Sequence, residues 1–239
     1  GIFMAAMKQL ALDIGLSTGP SLSRFYEGSN TAVVQHMRTW VGDGLTSEAG
    51  RAPVPTYMWG VPGSGKSHLL KAVYTDLREQ GAEVGWMDAS TGFPPEFDDR
   101  WAAVIMDDVH LYTPMQQSRA FNWFVNAIAP SSGSPRWVLA AGDAPPADLT
   151  LRDDLRSRLG WGHVFQLHLL NEAERRAVLR QEADARGVFL SDDVMDYMLK
   201  RFSRDLGSLM QLLGMLDGFA LRNKRAITIP LLKTMLETE

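Results

Sequence analysis

The pattern of hydrophobic positions changes character once along the chain, near residue 170. Before this point short apolar runs alternate with helical patterns, whereas from Asn171 onward the patterns are helical only. Alternating strands and helices are typical of a parallel sheet covered by helices. The chain therefore predicts an α/β domain with a parallel five-stranded sheet over residues 24–168 and a small all-helical domain over residues 169–239. Residues 1–23 lack sustained periodicity and predict a flexible N-terminal arm.

The individual elements follow from the same pattern. Five short apolar runs predict strands at residues 56–59, 83–88, 102–107, 136–141 and 163–167. Apolar residues at helical spacing predict a helix after Asn30, which could cap it, and further helices at residues 67–80, 116–128, 172–186, 191–202, 204–221 and from 229.

A glycine-rich segment joins the first strand to the next helix. It reads Gly60-Val61-Pro62-Gly63-Ser64-Gly65-Lys66-Ser67 and fits the spacing of a phosphate-binding loop. In such a loop the glycines let backbone N–H groups approach a pyrophosphate, while Lys66 reaches the terminal phosphates and the Ser67 hydroxyl ligates Mg²⁺. The helix that follows adds the positive end of its dipole. A chance glycine-rich turn is the alternative, and the strand-to-helix context favours nucleotide binding. The candidate ligands are Gly60, Pro62, Gly63, Ser64, Gly65, Lys66 and Ser67.

Carboxylates follow two of the predicted strands. Asp107 and Asp108 end the strand at 102–107, which suits a metal site in which Asp107 holds Mg²⁺ through its water shell and Asp108 orients an attacking water. Alternatively, the pair caps the loop that follows. Asp143 follows the next strand and could sense a terminal phosphate or cap the turn at Pro145.

Three further segments carry candidate chemistry. Arg158 precedes Gly160-Trp161-Gly162 and could stabilise charge on a phosphoryl group in a neighbouring subunit, although such a charged helix is usually a solvated face. Arg204 opens a helix and could reach over bound phosphates in cis, or be an ordinary helix-terminal cation. The segment from Gln9 to Ile14 has aliphatic residues that suit docking into an apolar pocket, whereas a disordered terminus is the default.

Composition restricts the classes of function. With 24 basic and 28 acidic residues the net charge is −4, so any role on DNA is expected to be local or indirect. There is no cysteine, which excludes disulfides and thiolate metal sites, and no apolar run reaches the roughly 18 residues that span a bilayer. We therefore expect a cytoplasmic protein that is not bound to a membrane.

Taken together, these motifs resemble the initiator branch of the AAA+ ATPases, the branch that contains DnaA. The resemblance covers nearly the whole chain and implies an AAA+ domain followed by a helical lid. It places Tyr26 beside the adenine, adds His68 to the phosphate loop, puts an arginine finger on Arg158, and makes Arg204 the second sensor arginine of the lid. The matching segments are 25–30, 60–70, 107–108, 155–162, 203–206 and 225–230.

Two features make the chain similar to regulatory members of this branch rather than to the initiator. The chain stops after the lid, leaving no room for a C-terminal DNA-binding domain. Gln9, Leu10, Leu12 and Ile14 are similar to a motif that docks on the DNA polymerase sliding clamp, although Asp13 departs from the commoner proline or aromatic residue.

The resemblance implies a regulator that inactivates DnaA after replication begins. With ADP (or ATP) and Mg²⁺ bound, and held on the clamp near the nucleoid, it would promote hydrolysis of DnaA-bound ATP through Arg158 in trans, with weak ATPase activity of its own and contact with DNA only through the clamp. A homodimer is left open. Two alternatives also stay open: a cis-acting ATPase that loads a helicase or clamp, and a non-catalytic adaptor between clamp and initiator.

Overall fold

A computed structural model of the protein describes residues 21–42, 53–201, 206–223 and 226–237. The contacts divide the chain after Leu169, so that the described residues from 21 to 169 belong to one compact unit and those from 170 onward to another. The predictions made for Gln9, Leu10, Leu12, Ile14 and Arg204 fall outside the described residues.

The first unit contains the predicted parallel five-stranded sheet. Its strands lie in the order β2-β3-β4-β1-β5, and every described pairing is parallel. Because all strands run the same way, the carboxyl ends of β3, β4 and β1 meet side by side at one edge. The strands are β1 (Thr56–Trp59), β2 (Glu83–Met87), β3 (Trp101–Met106), β4 (Trp137–Gly142) and β5 (His163–Gln166).

Helices cover both faces of the sheet. Ile105 of β3 packs into the cluster on one face, while Val104 and Met106 pack into the cluster on the other, as the alternation of side chains along a strand requires. The first cluster also contains side chains of α1 (Thr31–Gly42) and α2 (Lys66–Glu79), and the second those of α3 (Pro114–Ile128) and α4 (Asp153–Leu159).

The second unit is helical throughout its described residues. It consists of α5 (Glu172–Ala185), α6 (Asp192–Arg201), α7 (Leu206–Asn223) and α8 (Ile229–Glu237). Leucine and methionine side chains from all four helices form its own buried core. No helix within the described residues is long and apolar enough to cross a membrane.

Two local predictions are corrected by tertiary contacts. Asn30 lies in a 3-10 turn, and its buried side chain hydrogen bonds with the backbone of His168, a partner that lies far along the chain, rather than serving as the cap of α1. The predicted arm of residues 1–23 ends earlier than expected, because Leu22 is only 2% exposed and packs into the first core cluster. Its backbone N–H also donates to the Asp76 carboxylate on α2 at 3.1 Å.

Candidate nucleotide site and arginine turn

The glycine loop occupies the connection between the end of β1 and the start of α2. Gly63 and Gly65 have φ values of 85° and 97°, a region that side chains with a Cβ rarely adopt. At Gly60 an added Cβ would lie 2.5 Å from the Leu167 carbonyl oxygen, so a larger residue cannot be accommodated there. Val61 and Pro62 are exposed in the same loop. The loop thus needs its glycines for two separate reasons, backbone conformation and close packing.

Lys66 is the first residue of α2 and its side chain is folded back over the loop. The residue is only 7% exposed, and its Nζ donates to the carbonyl oxygens of Gly60 and, at 3.1 Å, of Val61. The Ser64 hydroxyl lies 3.5 Å from the same nitrogen. Burial lowers the pKa of Lys66, while the nearby carboxylates of Asp108, Asp107 and Asp143 oppose this shift. A buried ammonium held mainly by carbonyl dipoles is suited to receive an anion.

The acidic pair lies directly beside the loop. The Ser67 hydroxyl donates to Asp107 Oδ2 at 2.6 Å, and Asp107 is only 3% exposed. Burial raises the pKa of Asp107, and the hydrogen bond from Ser67 opposes that shift. Asp108 is the one non-glycine residue with positive φ in the described part of the chain, at 53°, and its N–H donates to Asp107 Oδ1. This backbone turn separates the two carboxylates, so that Asp107 is buried while Asp108 is partly exposed.

Asp143 joins this group from the end of β4. Its carboxylate is 46% exposed and lies 3.9 Å from His110 Nε2. The Tyr57 hydroxyl donates to the Ala144 carbonyl at 2.6 Å, and burial together with the Asp143 charge raises the Tyr57 pKa. The described hydrogen bonds give no sign that Asp143 caps the turn at Pro145. His110 was not predicted from the sequence, where a lone histidine after an acidic pair carries no specific signal.

The segment that carries Tyr26 is held to α1 by Arg38, a residue that was not predicted from the sequence. Arg38 on α1 donates to the carbonyl oxygens of Leu22 and Phe25 at 2.9 and 2.8 Å and pairs with the Glu27 carboxylate. The Phe25 ring lies 5.3 Å from the His68 ring, which brings this segment to the first turn of α2. Tyr26, the next residue, is partly buried.

Arg158 lies in the last turn of α4, which follows β4 in the chain and is far from the glycine loop in sequence. Its guanidinium carbon lies 3.8 Å from the centre of the Trp161 ring and 5.9 Å from that of Phe121. The Trp161 N–H donates to the Arg158 carbonyl at 3.1 Å, which closes the turn. The described contacts of Arg158 are therefore with aromatic rings rather than with the glycine loop.

The residues around the loop fit a magnesium-bound nucleotide. The chemistry of the donors is appropriate, since a buried ammonium and a run of backbone N–H groups suit phosphate oxygens, whereas a hydroxyl beside a buried carboxylate suits a hard cation. Lys66 and the loop would hold the phosphates, and Ser67 with Asp107 would hold the ion.

The α/β unit with its glycine loop has the fold of an AAA+ P-loop domain. Solved structures with this fold include domain III of the replication initiation protein DnaA from Thermotoga maritima, with a TM-score of 0.67, 18% identity and coverage of 91% of this chain and 95% of that one. AMPPCP-bound DnaA from Aquifex aeolicus has a TM-score of 0.62 and 20% identity over 82% of this chain and 64% of that one. A RuvB structure from Thermotoga maritima has a TM-score of 0.61 and 15% identity over 92% of this chain and 72% of that one.

The helical unit supplies the finer assignment. Residues 172–236 match the family model described as the lid domain of Hda. The chain thus has a DnaA-like AAA+ fold, and its helical unit is similar to the lid domain of Hda. The predicted resemblance to the DnaA-related branch is confirmed, as are the parallel five-stranded sheet and the helical lid.

Proposed function

We propose that this protein regulates replication initiation by stimulating hydrolysis of ATP bound to DnaA, with Arg158 supplied in trans. A nucleotide in its own glycine loop, with ADP as the active ligand, would set the conformation of the protein. The Hda-type lid and the DnaA-like fold support the choice of partner.

The observation that carries the proposal is the environment of Arg158. Arg152 and Arg156, on the same short segment, are paired with Asp154 at 2.6 Å and with Asp153. Among the described residues no ion pair neutralises Arg158, which lies on an aromatic face instead. A guanidinium with unused N–H groups can stabilise the charge that develops on a transferring phosphoryl group. Of these three arginines, Arg158 alone has no carboxylate partner among the described residues, so its N–H groups are available for this role.

The protein's own nucleotide has a separate role in this proposal. Lys66 and Ser67 would hold its phosphates, Asp107 would hold Mg²⁺, and Tyr26 would lie beside the base. The ion supplies charge neutralisation between phosphates when it is bound. Because Arg158 contacts aromatic rings rather than this loop, the loop would serve the protein's conformation, while the hydrolysis that matters would occur at the partner's loop.

The arm is proposed to place the protein where initiators have to be inactivated. Gln9, Leu10, Leu12 and Ile14 would dock on the sliding clamp, and DNA would be contacted only through the clamp. With a net charge of −4 the protein has no strong general attraction for the phosphate backbone, which is consistent with indirect contact.

The test compares three arginine variants of the full chain with clamp loaded on DNA and with ATP-bound DnaA. Arg158→Ala should reduce hydrolysis to the unstimulated rate, because arginine fingers accelerate related reactions by roughly 10³–10⁵. Arg152→Ala and Arg156→Ala are matched controls on the same segment and should retain stimulation. Equal stimulation by the Arg158→Ala variant would rule out the proposal and favour a non-catalytic adaptor.

A cis-acting ATPase is the second candidate, and the contact between Ser67 and Asp107 favours it, because this pair and Asp108 could support hydrolysis at the protein's own loop. The two proposals differ in the partner they need. Turnover by the isolated protein that is lost in Lys66→Ala and kept in Arg158→Ala would assign the chemistry to this loop. On the main proposal the isolated protein hydrolyses ATP slowly.

A further inference from the structure

Trp161 is the most exposed tryptophan in the described part of the chain. The side chain is 57% exposed, whereas Trp123 and Trp137 are fully buried. The nearest described partner of Trp161 is the Arg158 guanidinium, which lies over the ring face.

The position of the indole is set by its neighbours in the chain. Gly162 follows it, and a Cβ there would lie 1.9 Å from the Pro55 carbonyl oxygen, so the backbone presses directly against the segment before β1. The edge of the indole contacts the Phe124 ring of α3, with the centroids 6.5 Å apart and the planes at 89°. The turn and the aromatic contact together orient the ring beneath the last turn of α4.

Stacking and ion pairing use different parts of a guanidinium. The N–H groups of arginine lie in the plane of the group and point outward from its edge, whereas an aromatic ring contacts its face. A carboxylate would occupy the edge, as Asp154 and Asp153 do for Arg152 and Arg156. Trp161 can therefore hold Arg158 in place while leaving its edge free for the oxygens of a phosphate.

We propose that Trp161 is a positioning residue that orders the Arg158 side chain in advance for a phosphoryl group on an AAA+ partner. The inference rests on the function proposed above, and it adds a residue that the arginine needs. An unrestrained arginine side chain loses conformational freedom when it is fixed. A cation–π contact with Trp161 offsets part of that loss before the partner arrives.

The test separates the aromatic face from simple packing. Trp161→Leu keeps an apolar side chain beside Phe124 but removes the ring, Trp161→Ala removes both, and Trp161→Phe restores a ring. We expect the Leu and Ala variants to lower the maximal rate of partner ATP hydrolysis about 5- to 30-fold, which corresponds to about 1–2 kcal/mol. The Phe variant should recover most of the rate. The protein concentration for half-maximal stimulation should stay the same in all three.

The opposing outcomes are equally specific. A full rate with Trp161→Leu would show that packing suffices and would overturn the inference. A higher half-saturating concentration with an unchanged maximal rate would assign the indole to partner binding and overturn it as well. If Arg158→Ala keeps full stimulation, the proposed function itself fails, and the positioning role fails with it; a full rate in Trp161→Leu alone overturns only the positioning role.

A spectroscopic measurement tests the stack without any partner. In the wild-type protein, NMR resonances of the Arg158 side chain should lie upfield of those of Arg156, because the indole ring current shields groups above its face. The shift should vanish in Trp161→Leu and persist in Trp161→Phe. An unshifted Arg158 in the wild-type protein would overturn the inference whatever the activity shows.

Discussion

Replacing Asn30 by alanine should destabilise the α/β unit measurably. The Asn30 side chain is 6% exposed, and its amide donates to the His168 carbonyl at 3.0 Å and accepts from the His168 N–H at 2.7 Å. These two bonds join the start of α1 to His168. The preceding residue, Leu167, donates its N–H to the Trp59 carbonyl, and its own carbonyl lies against Gly60. Asn30 therefore helps to hold the segment that packs against Gly60, the first residue of the glycine loop.

The magnitude follows from the two bonds. A typical hydrogen bond contributes about 1 kcal/mol net, and a backbone group left without its partner adds to the loss. We expect the free energy of unfolding to fall by about 2–3 kcal/mol and the melting temperature by about 4–12 °C for a unit of this size. Asn30→Asp should also destabilise it, since a carboxylate cannot donate to the His168 carbonyl.

Tryptophan fluorescence is the appropriate assay. All seven tryptophans lie at or before Trp161, so a denaturant titration followed by their emission reports the α/β unit and not the helical unit. Asn126→Ala is a suitable control, because that side chain donates only to the Asn122 carbonyl within α3. A loss below about 0.5 kcal/mol for Asn30→Ala, within the range of ordinary surface substitutions, would refute the argument that the His168 contact is structural.

Two further outcomes test the packing of the sheet. Burial and the neighbouring His163 lower the pKa of His36 from 6.5 to about 4, so between these pH values the unfolded chain binds a proton that the folded chain does not. The free energy of unfolding should therefore fall by about 1–2 kcal/mol as the pH drops from 6.5 to 4. Denaturant titrations across this range should show a weaker pH dependence of stability for His36→Gln than for the wild-type protein, and identical pH profiles would contradict the assignment. Gly162→Ala should lower the free energy of unfolding by at least about 2 kcal/mol, because the new Cβ would meet Pro55. Gly42→Ala is the control: no atom lies near its new Cβ, so the same titration should show almost no change. Equal stability of the two variants would be incompatible with the close contact at Gly162.

The elements that the sequence predicted well are those defined by local patterns. The strand at Trp101–Met106 is a continuous apolar run that ends in two carboxylates, and the observed strand lies one residue from the predicted one. The glycine loop was predictable because its φ requirements and its lysine are encoded within eight consecutive residues. Parallel strands then bring their carboxyl ends to one edge, which is why Asp107 lies beside Ser67 as expected.

The interactions that sequence reasoning missed join residues far apart in the chain. Asn30 has an ordinary capping sequence, and only the folded sheet brings His168 to its amide. Arg38 lies in an amphipathic helix like any solvated arginine, and nothing local predicts that it holds the backbone of Leu22 and Phe25.

The sequence by itself determined the class of fold, the phosphate loop and the acidic pair, because each depends on backbone preferences and on residues adjacent in the chain. The tertiary structure decided how the side chains are presented. Arg158 could have been paired with a neighbouring carboxylate, as Arg156 is, but the turn closed by Gly162 against Pro55 places the Trp161 ring beneath it. That choice depends on contacts across the sheet, which no pattern along the chain records.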